Sequence, residues 1–268
     1  MSYLIFIVAV GLFALLGAGG LLHRDAWFEA LNRRLDAIEL DLLPGLALRV
    51  GTPLVAAGML LVATRPVMGG LAEALIGTSL LYFAWGRGDY PTDLERFLAR
   101  ARVGDTPGAS ALLSELGAQQ SHDDERSSLA MRYFLFRGFS RWFPPVLYFW
   151  LLGPFAAAGY RLVELVNVRC GGQLDSMQHA LDWLPARAVL LTFAVLGDFE
   201  RTRSLLTADA FDSDVANEEL LARGVRQAWQ LGDADGTEDT VREVETVRKA
   251  IDRAMVVWVV LASFAVLL

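Results

Sequence analysis

The sequence predicts an all-α membrane protein: a polytopic transmembrane helical bundle with a broken or re-entrant central helix and cytoplasmic helical regions. Three observations predict it. Hydrophobic residues make up 54% of the 268 and the mean hydropathy is +0.38, too apolar for a soluble domain with evenly spread charge. The charge is segregated into polar stretches rich in Arg, Asp and Glu, separated by long runs with almost none. Those polar stretches repeat their apolar residues at helical spacing.

Taken in order, Tyr3 to Leu22 is long enough to cross a hydrocarbon core of about 30 Å at about 1.5 Å per residue. It lacks a basic leader and an Ala-x-Ala site, so it is expected to stay as a span rather than be cleaved. His23, Arg24 and Asp25 end it. From Ala26 to Leu43, Trp27, Phe28, Leu31, Leu35, Ile38 and Leu42 fall on one helical face opposite Glu29, Arg33, Arg34, Asp36 and Glu39. That pattern suits an amphipathic helix in the membrane interface or one packed on the protein's own core. Leu46 to Thr64 and Leu71 to Trp85 read as a second and third span, joined by a tight turn at Arg65 to Gly70.

Polar helical regions are expected at about 86–140 and 198–254. Thr92 with Glu95 three residues on reads as a capping box opening the first helix, and the residues from Ser121 to Arg126 cap a later one. Between the polar regions, Trp142 to Tyr160 is almost wholly apolar yet holds Pro144, Pro145, Gly153 and Pro154. An interior proline removes a backbone hydrogen bond and costs roughly 3 kcal/mol, so the segment is expected to break at both prolines and again at Gly153. Pro185 sits where a helix would start again, with Asp182 placed to cap that start. Ala254 to Leu268 is a last apolar run that barely spans. Arginine placement puts the polar regions in the cytoplasm and the N-terminus outside.

Several classes of chemistry find no support. The net charge of −7 argues against a nucleic-acid partner. Cys170 is the only cysteine, which leaves no disulfide and no thiolate metal cluster. The histidines at 23, 122 and 179 lack ligand spacing, the acidic turn from Asp233 to Asp239 lacks a full calcium loop, and no phosphate-binding glycine loop is present. No metal and no cofactor is expected. The candidate ligand-binding residues are Arg87, Asp89, Arg161, Asp182, Trp183 and Arg187, because charged groups beside broken apolar helices need a partner or a polar cavity. Arg87, Arg161 and Arg187 would hold an anion, Asp182 would orient Arg187, and Trp183 would wall the cleft. The same charges also suit internal ion pairs and arginines that reach the lipid headgroups, as do Arg137 and Arg141.

The run from Pro145 to Arg161, the element Leu181 to Arg187 and the pair Gly197 and Asp198 resemble the AmpE family and its cobalamin-biosynthesis relatives of the CobD/CbiB type. Arg87 to Asp89 and Ala101 to Asp105 fit as well, so the motifs extend from about residue 70 to 200 and the hydropathy end to end. Cobalamin-branch members carry an acidic patch just before the apolar run, where this chain has Arg137 to Arg141, and the departure favours the AmpE branch. The resemblance implies one membrane domain over 1–268, multi-pass in the bacterial inner membrane, linked to β-lactamase induction and cell-wall recycling. It supplies no biochemical activity. The expected partners are the lipid bilayer, an anionic small molecule or cell-wall fragment, and a membrane or cytoplasmic signalling protein. A cobalamin-type amide-forming enzyme, similar to adenosylcobinamide-phosphate synthase, and a structural membrane scaffold are the alternatives.

Overall fold

In the computed structural model the described residues are 1–17, 26–38, 41–86, 89–118, 128–212, 215–233 and 236–264. They are helical throughout, with no strand among them: α1 (Ser2–Leu16), α2 (Ala26–Asp36), α3 (Leu42–Met68), α4 (Gly70–Ala84), α5 (Tyr90–Arg102), α6 (Thr106–Glu115), α7 (Leu129–Leu152), α8 (Pro154–Arg169), α9 (Asp175–Leu196), α10 (Phe199–Ser204), α11 (Asn217–Trp229) and α12 (Thr237–Phe264). Arg87, the stop at His23 to Asp25, the cap at Ser121 to Arg126 and Asp235 of the acidic turn lie outside the described residues.

The chain divides into two compact units, Met1–Gly88 with Pro144–Leu181 and Ala265–Leu268, and Asp89–Phe143 with Asp182–Phe264. In the first unit α1 packs on α4, where a side chain at Gly77 would come within 2.7 Å of Ile5. Phe6 stacks near Phe149 and meets the edge of Trp150, and the Tyr82 hydroxyl donates to the Gly17 carbonyl at 2.8 Å, tying down the end of α1. A second cluster gathers Phe28, Leu46, Phe83, Leu162 and Val166 from α2, α3, α4 and α8. The amphipathic helix thus packs its Phe28 face on the protein and ends at Asp36, short of the expected Leu43.

The second unit has a large buried apolar core. Phe97, Phe134, Phe139, Phe143, Phe193, Leu220, Val247 and Ile251 are all at most 2% exposed. Trp258 meets Phe143 edge-on and donates its indole N–H to Thr192 Oγ1 at 3.0 Å, joining α12 to α9. Its helix starts are tightly capped. Asp89, and not Thr92, caps α5: its carboxylate accepts from the Thr92 N–H and hydroxyl, because Pro91 falls in the first turn where a missing N–H costs nothing. Asp105 caps α6 through the Gly108 N–H in the same way, with Pro107 behind it.

Two expected breaks do not occur. α7 runs unbroken through Pro144 and Pro145, and only Gly153, at φ 88°, ends it before Pro154 opens α8. A glycine can adopt that left-handed backbone and the residue before a proline avoids the α region, so Gly153 with Pro154 breaks the chain where a proline pair within flanking helix does not. α9 likewise runs from Asp175 through Pro185 to Leu196, so Asp182 is a mid-helix residue and caps nothing.

Among the described residues two helices are long and apolar enough to cross a membrane, α3 and α9. They differ in surroundings. Only 6% of the apolar window of α3 is buried, against 50% for α9, whose Ala186, Val189, Leu190 and Phe193 are completely buried in the second unit. α1 and α4 are apolar but have 15 residues each, about 22 Å of helix.

Candidate functional site

Arg187 is the best-connected residue among those the sequence singled out. It lies two residues beyond Pro185 on α9, half-buried, with its guanidinium carbon 4.7 Å from the centre of the Trp183 ring one turn earlier. Its Nε donates to the Ala210 carbonyl at 2.8 Å, and its Nη2 donates to the Asp212 carbonyl at 3.1 Å. Its Nη1 donates to Asn217 Oδ1 and, at 3.4 Å, to the Trp183 carbonyl. The four acceptors are neutral oxygens, and Asp182 is not among them. The Arg187 fork therefore binds the segment between α10 and α11 to α9, with Asn217, 3% exposed, as the buried end of the clasp.

The segment that Arg187 holds is irregular for a reason. α10 passes at Ser204 into a π-helical turn, Leu205–Asp209, the described residues 210–212 and 215–216 are not helical, and α11 begins at Asn217. Single π turns commonly mark functional positions in helices. Arg223 reaches back to Asp209 at 2.9 Å, so one end of the turn is also tied to α11.

The other predicted residues are divided among different tasks. Arg161, in the first unit, pairs with Glu164 at 2.6 Å and lies against Gly86, where a side chain would come within 3.0 Å of its guanidinium carbon. Asp89, in the second unit, is the α5 cap. The Thr92 hydroxyl bond holds its carboxyl below the ordinary value, with Arg141 and Arg96 adding to that and burial opposing it. Asp182 is 2% exposed on α9. Trp183 and Arg187 come together as one cation–π pair; Arg87 lies outside the described residues.

A family model described as regulatory signalling modulator protein AmpE matches residues 1–268. The chain belongs to the AmpE family. No curated protein and no solved structure matches it at a significant level. A regulatory signalling role follows for this AmpE-family chain from that family description.

Sequence reading missed three residues of this AmpE-family chain that make buried or part-buried hydrogen bonds, two in the second unit and one in the first. Glu243, 2% exposed on α12, accepts from the Ser128 N–H at 3.0 Å and from Arg226 at 2.9 Å, and Arg226 also reaches Asp233. Glu243 is adjacent to Val244 in an amphipathic stretch, and that closeness to the apolar stripe was the only signal available. Asn217 follows a turn at the head of a helix, where an Asn reads as a cap. Tyr148, in the first unit, carries no signal at all: its hydroxyl donates to the Leu181 carbonyl at 2.7 Å.

Proposed function

We propose that this chain is a multi-pass inner-membrane regulator of β-lactamase induction and cell-wall recycling, with the unit holding α1 to α4 in the bilayer and the second unit in the cytoplasm. In this reading Arg187 is a latch that an anionic ligand opens. The observation that carries it is the half-buried guanidinium whose hydrogen bonds among the described residues all go to neutral oxygens, stacked on an indole, with the Asp212 charge acting on it from nearby but not hydrogen-bonded to it. A carboxylate or phosphate oxygen is a stronger acceptor than a carbonyl, with charge-assisted bonds roughly twice as strong as neutral ones. An anion arriving at Trp183 and Arg187 would draw the fork away from the Ala210 and Asp212 carbonyls and free the segment before α11. A cell-wall fragment bearing carboxylates fits that chemistry. The membrane half of the proposal is supported by α3, a 27-residue helix whose apolar surface stays uncovered.

The test is β-lactamase activity after β-lactam challenge in a deletion strain complemented with the wild type or with Arg187→Ala. The proposal expects the variant to reach normal membrane abundance and to restore less than a tenth of the induction. Full restoration at normal abundance would reject the latch and leave the scaffold reading. Rescue of cobinamide-pathway growth by the wild type would favour the amide-forming enzyme instead.

A further inference from the structure

In the first unit, α2, α3, α4 and α8 enclose an open groove of about 410 Å³. Trp27 and Leu31, Pro53 and Leu54, Leu80, and Leu162 form its walls, one or two from each helix. Polar groups are scarce: of its two lining hydroxyl residues, Thr52 and Ser79, the latter already donates to the Leu75 carbonyl at 2.8 Å. One turn of an α-helix about 10 Å across would fill this volume, so a partner helix is too bulky for it. An extended hydrocarbon chain is not, and it brings no backbone polar group that the apolar walls would leave unsatisfied.

The groove has a charged end. Arg49 stands one turn before Pro53 on α3, Asp36 stands five residues after Leu31 on α2, and Arg169 stands seven after Leu162 on α8. They converge: Arg49 meets Asp36 at 2.7 Å, and Arg169 meets Asp36 at 2.5 Å and Glu29 at 2.7 Å. Arg33 and Arg34 are exposed on the last turn of α2, so among the described residues this end carries four arginines against the carboxylates of Glu29, Asp36 and Asp41 at the start of α3. Arg49 keeps a donor in reserve, because its Nε is buried with no hydrogen-bond partner. Pro53 has no N–H to offer the Arg49 carbonyl, so that carbonyl lacks the helical bond it would otherwise accept from residue 53.

We infer that this groove holds one acyl chain of an anionic phospholipid, with the phosphate at the Arg33, Arg34 and Arg49 end. The inference rests on the membrane reading proposed above. Continuity argues for a bilayer lipid, since the groove opens on the uncovered apolar surface of α3, where Val55, Met59 and Val62 are more than half exposed. An apolar wall with a basic end matches a lipid's two chemistries, and each basic residue near an anionic surface contributes attraction.

The experiment reconstitutes the full chain in vesicles of phosphatidylethanolamine and phosphatidylglycerol containing a phosphatidylglycerol probe with a photoreactive acyl chain. Adducts are mapped by mass spectrometry. The expected result is labelling at Leu54, Leu80 and Leu162, lowered at least tenfold by Thr52→Trp with Ala56→Trp while labelling at Met59 and Val62 is unchanged. Uniform labelling along α3, insensitive to those tryptophans, would overturn the groove and leave ordinary boundary lipid. Equal labelling by a zwitterionic phosphatidylcholine probe would overturn the headgroup assignment, as would full labelling of Arg33→Gln with Arg34→Gln. Cross-linking between two copies at Trp27 would assign the groove to a dimer instead. Alkaline carbonate extraction of the same membranes separates the two readings: release of the protein rejects the membrane reading, whereas retention without groove adducts rejects the groove alone.

Discussion

Pro185 has no backbone N–H to give the Leu181 carbonyl four residues earlier, and the Tyr148 hydroxyl supplies the missing donor. Tyr148→Phe leaves that acceptor unsatisfied and should cost about 1–2 kcal/mol, measured as a lower unfolding temperature in detergent. An unchanged midpoint would mean that water replaces the hydroxyl. Glu243 is a stricter case. Its carboxylate is 3% exposed and faces Arg226 at 11% exposed, so Glu243→Ala takes from a largely buried cation its buried partner, while the exposed Asp233 carboxylate stays. Removing one member of such a pair costs about 3 kcal/mol, and Glu243→Gln should recover part of it through the Ser128 N–H geometry. Thermal unfolding of the two variants side by side checks both statements.

At the scale of elements, what could be read from the sequence was whatever is local. The helices at 26–36, 90–102 and 217–229 show their apolar faces in periodicity, and Gly153 with Pro154 announces a break through backbone stereochemistry alone. Pro185 misled for the converse reason. Its cost is local, but the compensation is tertiary: Tyr148 lies 33 residues from the carbonyl it satisfies. Pro144 and Pro145 likewise lie within unbroken helix. Arg187 was legible as a charge near Trp183, yet three of its four acceptors lie 23 to 30 residues away along the chain, so its clasp was not. The docking of α2 adds a pH dependence. Asp36 is held below its ordinary value of 3.8, first by the hydrogen bond from Arg169 and further by Arg49, with burial opposing. A lowered carboxyl value in the folded state contributes stability in full above 3.8, and loses it as the pH falls from there through the lower folded value. Hydrogen exchange of the α2 amides should therefore speed up as the pH is lowered from about 5 to about 3, after correction for intrinsic rates. Constant protection across that range would show that Asp36 does not anchor the helix.

At the scale of the whole molecule, two kinds of packing coexist in one chain. α3 leaves most of its apolar residues uncovered, whereas the unit containing α5, α6 and α10 to α12 has a core of buried aromatic and aliphatic side chains and ties Arg132, Arg223 and Arg226 into ion pairs. That contrast, with the AmpE family match over 1–268, underlies the regulator proposed here. The proposal turns on whether the Arg187 clasp has to open. Asn217→Asp tests it most directly, because it turns a neutral acceptor of Arg187 into a carboxylate and tightens the clasp without removing any side chain. The measurement is β-lactamase induction in the deletion strain carrying this variant at wild-type membrane abundance. The account predicts a protein at least as heat-stable as the wild type whose induction falls at least fivefold. Normal induction by an equally stable Asn217→Asp protein would contradict it, and would reduce Arg187 to a structural clamp.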